Sequence, residues 1–277
     1  MLLIKRQGGV SEEELLKKVN WLYSEILARR GSMTMNMSPS QATVRNALKY
    51  LETFVDIKKD VFAPTVKITN DYKNIQMLAY YRNSIIHLFL NECYIATALQ
   101  AFGDQTIQTQ DVSLKRLWEQ TEFLSKVLRE EFMVRNQIKT FEDLTQTLKL
   151  MQDRGFLTVF TQDNQEYVRL EANGKFAIQF LSSLLLPFVE SYWVTLSFVN
   201  LLPTNEMQTV DDIDKKVQTL AETMFNESML IYFESCSRES IGNALIRFAK
   251  LGAISQKEIG GFGRHGRPTD LRVYGRG

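Results

Sequence analysis

Residues Phe141–Leu170 read FEDLTQTLKLMQDRGFLTVFTQDNQEYVRL. Leu144, Leu148 and Met151 recur at helical spacing through Arg154, and Gly155 stands where a helix is capped at its C-terminus. Phe156–Phe160 and Tyr167–Leu170 then flank a Gln-Asp-Asn-Gln turn, the signature of a two-stranded hairpin. The order helix, turn, hairpin occurs twice more. Upstream, Ser38-Pro39 opens a helix with Val44, Ala47, Leu48, Leu51, Phe54 and Val55 on one face. Val55-Asp56-Ile57 and Val66-Lys67-Ile68-Thr69 follow it as a small hairpin. Downstream, Ser240–Leu251 carries Ile241, Ala244, Leu245, Phe248 and Ala249. Gly252 comes next, then Ala253–Ile259, a Gly-rich loop, and Leu271-Arg272-Val273-Tyr274.

Helix followed by hairpin is the ending of a winged-helix module, although the three units share no clear residue identity. Around them the pattern is helical. Ser11 and Glu14 make a capping-box pair ahead of Leu15, Leu16, Val19, Leu22, Tyr23, Ile26 and Leu27, which run to Arg30-Gly31. Ile75–Phe102, Val112–Arg135, Glu171–Leu202 and Val210–Tyr232 also read as helix. The fold expected is mainly α with small antiparallel β-hairpins, a helical array with winged-helix-like units. Residues 1–277 read as one domain, with a subdivision into a winged-helix-like unit at 1–74 and a helical region at 75–277 holding the other two units.

The chain has 277 residues, 44% hydrophobic and 23% charged, with 5 Pro and 14 Gly, which excludes collagen-like and disordered classes. Met1–Ile4 is apolar, but Lys5 and Arg6 follow at once, so no apolar run of signal-peptide length is present, and the start reads as internal. Phe176–Leu202 is the longest weakly charged stretch. It could span a bilayer by length, yet Gln179, Ser182, Ser183, Glu190, Ser191 and Asn200 interrupt it, and Pro187 lies in its middle. The reading is a buried core helix kinked at Pro187, and Ile85–Phe102, with His87, Asn91 and Glu92, reads the same way.

Charge gives little direction to a search for partners. Lys+Arg is 33 against Asp+Glu 32, a net +1, so there is no global field of the kind nucleic-acid binders use. A recognition helix at Gln41–Glu52 could offer Arg45 and Lys49 to DNA, but no basic stripe with interleaved aromatics accompanies it. No nucleic acid is expected as partner. The tail from Lys257 holds Lys257, Arg264, Arg267, Arg272 and Arg276 against Glu258 and Asp270, and reads as a solvated basic terminus.

Candidates for chemistry are few. Cys93 and Cys236 lie far apart with no C-x-x-C, which fits a reducing compartment and no zinc site. The two histidines are His87 and His265. On a continuous helix Asn83 and His87 would share a face, and His87 reads as a satisfied core residue. His265 and Asp270 form an H-x-x-x-x-D string, the spacing of a general base and its orienting carboxylate. The string sits in a Gly-rich loop, with nothing in the neighbouring sequence to fix such a pair. There is no phosphate-binding Gly-rich loop and no G-x-S-x-G elbow. No residue is assigned as catalytic, cofactor-binding or metal-ligating.

Four stretches carry a resemblance. AYYRNSIIHLFLNECYIATAL (Ala79–Leu99) resembles the Y-x-x-N-x-x-x-H-x-F segment of the glycerol-3-phosphate and dihydroxyacetone-phosphate O-acyltransferase family. LLIKRQGGVSEEELLKKVNWLYSEILARRG (Leu2–Gly31) resembles the region after that family's catalytic domain, a helix ending in Leu-Ala-Arg. FLSSLLLPFVESYWVTLSFV (Phe180–Val199) resembles its Leu-x-P-x-x-E-x-Y helix. Tyr232–Ile254 is similar to its Y-x-E-S…N-A-x-x-x-F-x-x-x-G segment. The four occur in the family's order and cover nearly the whole chain.

The resemblance implies the C-terminal region of an enzyme moving a fatty acyl group from acyl-CoA to the sn-1 hydroxyl of glycerol 3-phosphate, giving lysophosphatidate for phospholipid synthesis. The family's catalytic H-x-x-x-x-D and its Phe-x-Glu-Gly-x-Arg-Ser motif belong to the preceding domain, and this chain has no Glu-Gly dipeptide. The string at His265 is at the wrong end. The implied role is therefore a non-catalytic domain. Its expected partners are an acyltransferase catalytic domain, which would bind the acyl-CoA, and a membrane surface, at an intracellular, peripheral location. Two alternatives stand beside it: a complete acyltransferase using His265 and Asp270, and a winged-helix-type nucleic-acid or protein-interaction adaptor.

Overall fold

The computed structural model describes residues 9–29, 31, 38–58, 65–68, 72–103, 111–132, 137–202, 208–258 and 271–275. The chain divides into two compact units, Met1–Leu90 and Asn91–Gly277. The first unit holds β1 (Val10–Ser11), α1 (Glu12–Ala28), α2 (Gln41–Tyr50), β2 (Val55–Lys58), β3 (Thr65–Ile68) and α3 (Tyr72–Asn83), then a 3-10 turn at Ile86–Leu88. α4 (Leu90–Ala101) opens the second. There follow β4 (Val112–Ser113), α5 (Leu114–Val127), a 3-10 turn at Leu128–Glu130, α6 (Phe141–Asp153), β5 (Leu157–Gln162), β6 (Gln165–Leu170) and the long α7 (Gly174–Val199). Last come β7 (Gln208–Thr209), α8 (Val210–Asn226), a 3-10 turn at Phe233–Cys236, α9 (Arg238–Lys250), β8 (Ile254–Glu258) and β9 (Leu271–Gly275).

The fold is mainly α, and all three expected hairpins are present. Each is completed by a two-residue leading strand, so the sheets are three-stranded and antiparallel, ordered β1-β3-β2, β4-β6-β5 and β7-β9-β8. Two residues are too few to show a period of two, which is why the leading strands left no trace in the sequence pattern. The second hairpin closes through Asp163 and Asn164, at φ 49° and 62°, between the paired Gln162 and Gln165. Both central residues are thus left-handed, as a two-residue hairpin turn matched to strand twist requires.

Under the divergent residues lies a shared frame. Ser11, Ser113 and Thr209 precede the first helix of each module, and Leu15, Leu117 and Ile213, four positions on, are all buried. Ser40, Thr140 and Ser237 precede the second helix. The apolar positions that follow keep one spacing: Val44, Leu48, Leu51; Leu144, Leu148, Met151; Ile241, Leu245, Phe248. The last strand places a valine opposite the residue before the first cap in every sheet: Val66 against Val10, Val168 against Val112, Val273 against Gln208. Helix geometry fixes spacing rather than identity, and Ser11, Ser40, Thr140 and Thr209 also cap their helices with the side chain, whereas Ser113 and Ser237 do not.

The second helices of the later two modules end alike. Gly155 and Gly252, at φ 70° and 75°, lie just past the cap. The next amides, of Phe156 and Ala253, return to the carbonyls of Met151 and Phe248, each at 2.9 Å. This double bond pattern satisfies the last-turn carbonyls, and glycine enters the left-handed region without cost.

Several boundaries differ from the sequence reading. Ile75–Phe102 is not one helix: α3 stops at Asn83 and α4 starts at Leu90, with the 3-10 turn between them. Val112–Arg135 opens as a strand, and the α2 cap is Ser40, with Pro39 ahead of it. The Gly-rich loop between β8 and β9, with His265 and Asp270, lies outside the described residues.

α7 continues through Pro187 as one element and is the spine of the second unit, buried at fourteen positions from Gly174 to Val199. It packs on α8, α9 and the Phe233–Cys236 turn. Its length and composition alone would let it cross a membrane, but 61% of its apolar window is buried within the protein. α4 is covered almost completely, with Cys93, Tyr94, Ile95, Ala96 and Ala98 at 0% exposure.

α8 ends with the same two bonds as α6 and α9, but its left-handed residue is Ser228, at φ 59°. A side chain costs about 1 kcal/mol there. Ser228→Gly is therefore expected to raise unfolding free energy by about 1 kcal/mol in urea titration, with helical content unchanged.

Candidate functional site

The four stretches that carry the family resemblance meet one another inside the two units. In the first unit, Arg29 of the Leu-Ala-Arg ending bonds to the Glu25 carboxylate at 2.7 Å, with side chains 4% and 2% exposed. Its guanidinium lies 4.6 Å above the ring of Phe89, the phenylalanine of H-x-F. A buried ion pair and a cation–π contact thus lock the end of α1 to the turn before α4. Asn83 accepts from Arg82 Nε at 3.0 Å and Nη2 at 2.9 Å. His87 is exposed on the 3-10 turn rather than held in the core with Asn83. The helix ends at Asn83, so the spacing that would join them on one face is not continued.

In the second unit, Glu190 of Leu-x-P-x-x-E-x-Y meets Tyr232-x-x-Ser235. Its carboxylate accepts from the Ile231 amide (2.9 Å), the Tyr232 amide (3.1 Å) and the Ser235 hydroxyl (2.6 Å). The half-buried charge that interrupts the apolar run thus has three protein donors. Tyr192, two residues on, sets its ring edge-on to Phe248 of the N-A-x-x-x-F segment, centroids 5.8 Å apart. Asn243 of that segment donates to Glu131 at 3.3 Å. Burial raises the Glu131 carboxyl to about 7, against the hydrogen-bonding of Asn243, Tyr192 and Ser240, which hold it down.

Among the described residues the remaining candidates do not form a reactive constellation. Arg45 is paired with Glu12 at 2.8 Å, and Lys49, the other cation of the recognition-helix reading, is exposed. Cys93 and Cys236 are buried free thiols, and burial pushes Cys236 up to about 12, so it is no thiolate at neutral pH. Among the described residues no three His, Cys, Asp or Glu side chains are grouped to hold a metal. A cleft of about 550 Å³ runs between the starts of α5 and α6, walled by Lys115, Trp118, Phe141 and Glu166 among others. Trp118 meets Phe141 edge-on there at 6.0 Å.

Helix pairs with leading strands and wings, joined by buried helices and held by internal clamps, define a mainly α protein of winged-helix-like modules. Residues 1–257 match the family described as the glycerol-3-phosphate acyltransferase C-terminal region, and the chain belongs to that family. It is 22% identical over 270 residues to a dihydroxyacetone phosphate acyltransferase of Bos taurus, a match covering 93% of this chain and 38% of the relative. It is 25% identical to the same-named protein of Mus musculus, with the same coverage. A probable mitochondrial glycerol-3-phosphate acyltransferase of Caenorhabditis elegans is 25% identical over 218 residues, 72% of this chain and 29% of the relative. The chain thus spans under two fifths of the length of these relatives.

Removing the Glu190 carboxylate orphans two amides and a hydroxyl. Glu190→Ala is expected to lower unfolding free energy by about 3 kcal/mol in urea titration, and Glu190→Gln, which keeps one acceptor oxygen, by about half of that.

Proposed function

We propose that the chain is the accessory, non-catalytic region of a glycerol-3-phosphate O-acyltransferase, packing on an acyltransferase catalytic domain at an intracellular membrane surface. The family match over residues 1–257 carries this reading. The sequence agrees with it, having no Glu-Gly phosphate motif and an H-x-x-x-x-D string only at His265. Acyl-CoA and the acceptor belong to the catalytic domain, where a base activates the hydroxyl and cationic groups hold the phosphate. This region contributes packed support, each unit held by its own clamps. Its clamps join the family-like stretches in pairs and, among the described residues, leave none of them arranged as base and nucleophile.

Membrane contact is supported by apolar side chains that the core does not cover. Trp193 and Leu196 on α7 are 48% and 44% exposed, and Met229 and Ile231, in the loop that Glu190 anchors, are 59% and 68% exposed. An indole beside aliphatic tips suits the headgroup boundary. Peripheral attachment follows from this reading, with α7 retained in the protein core.

Thiol release from palmitoyl-CoA by the purified chain, with and without glycerol 3-phosphate, tests the catalytic half of the proposal. No acceptor-dependent release is expected, and co-expression with the acyltransferase domain of a relative should give a co-purifying complex. Acceptor-dependent release that His265→Ala abolishes would show a complete enzyme instead.

A further inference from the structure

Ile75, Leu78 and Ala79 recur at helical spacing on α3 and are buried in the first unit. Met77, Tyr80 and Tyr81 keep the same spacing two residues on, which turns them to the opposite side of the helix. They are 45%, 72% and 54% exposed, and the two tyrosine rings meet edge-on with centroids 5.9 Å apart. A helix on a protein surface has one apolar stripe and a polar back. α3 carries apolar side chains in front and a thioether with two aromatic rings behind, the pattern of a helix that is covered on both sides.

The family-like segment divides along the same line. Of the residues that define Y-x-x-N-x-x-x-H-x-F, Asn83 is held by Arg82, and Phe89 receives the guanidinium of Arg29. Tyr80 and His87 are exposed. Half of the segment thus serves the inside of the unit and half stands at its surface, where a ring adds little to the stability of the fold. Such a ring does add contact area and a hydroxyl to a partner.

The chemistry of this face fits protein rather than lipid. Tyrosine and methionine are enriched at protein–protein interfaces, and tyrosine is a frequent anchor. A helix lying on a membrane instead backs its apolar face with a row of Lys and Arg. The other side of α3 is core, and Lys73 is its one exposed cation among the described residues. The order of the family supplies the partner. The matched region is C-terminal and covers 38% of the Bos taurus relative, so the greater part of such an enzyme precedes it. A chain arriving from upstream enters at β1, where Val10 pairs with Val66 of the strand before α3. A domain tethered there meets the first unit at high effective concentration.

We propose that the Met77, Tyr80 and Tyr81 face of α3 is the docking surface for the acyltransferase catalytic domain. The inference rests on the accessory-region reading and names the face through which that region acts.

The full chain, titrated against the separately expressed and folded catalytic domain of a relative, gives a Kd for each variant. Tyr80→Ala is expected to raise Kd about thirtyfold and Tyr81→Ala about tenfold. Both side chains are exposed, so urea titration should show stability unchanged. Phe123→Ala, at an equally exposed ring on α5, should leave Kd within twofold. Should an alanine variant fail to fold, Met77→Lys, which sets a charge on the face and keeps both rings, should weaken binding at least as much. Wild-type binding that none of these α3 substitutions weakens overturns the face and leaves the accessory reading standing, as does a loss equalled by Phe123→Ala. A wild-type chain that does not bind the folded domain overturns both. Flotation with phosphatidylcholine–phosphatidylserine vesicles that Tyr80→Ala abolishes assigns the face to lipid, and a dimer in sedimentation that Tyr80→Ala dissolves assigns it to a second copy. Either result overturns the proposal.

Discussion

A carboxylate inside an apolar helix must find donors, and the second unit is arranged around how Glu190 finds them. Between Lys175 and the end of α7 it is the sole charge on the helix. Its three donors come from residues 231–235, a segment with little regular structure of its own. Each backbone amide that turns to Glu190 is one that the loop would otherwise leave unsatisfied. The same contact fixes where the chain leaves α8 and where α9 can begin. Tyr192, two residues further along α7, then meets Phe248 on α9 and faces Glu131 at the end of α5. One polar anchor thus sets the mutual positions of four elements, and apolar burial supplies the bulk of the stability around it.

The first unit solves a like problem with the opposite charge. Arg29 is buried because Glu25 lies one turn back on the same helix and the face of Phe89 receives its guanidinium. Such a pair brings geometry more than net stability, since desolvation offsets much of its attraction. That suits a region whose task in the proposed enzyme is to hold a shape. In both units the residues that make the chain resemble its family serve as fasteners between segments distant in sequence.

Much of this was legible beforehand. Leu144, Leu148 and Met151 with Gly155 and the Asp-Asn turn announced a helix and hairpin, and the structure has both. The three-fold order was visible as well, but its frame was not. Caps at Ser11, Ser113 and Thr209 align only once the leading strands are seen, and a two-residue strand has no periodicity to detect. The break between α3 and α4 was hidden for the opposite reason, because Ile85, Ile86, Leu88 and Phe89 are apolar in either conformation. Glu190 could be recognised as anomalous, though its partners forty residues away could not, since a loop advertises no donors. Glu131 gave no signal: a charged residue after Arg129 and Glu130 reads as surface until tertiary packing buries it.

The glycine endings of α6 and α9 have a mechanical meaning. In each, two short bonds tie the last turn to the first residues before the following strand, leaving no soft dihedral pair between helix and wing. Helix and hairpin then move as one stiff arm. For α9, thirteen residues give an arm of about 20 Å before the wing is counted. A tilt of a few degrees at its N-terminal end, beside Glu131, becomes a displacement of ångströms at the far end.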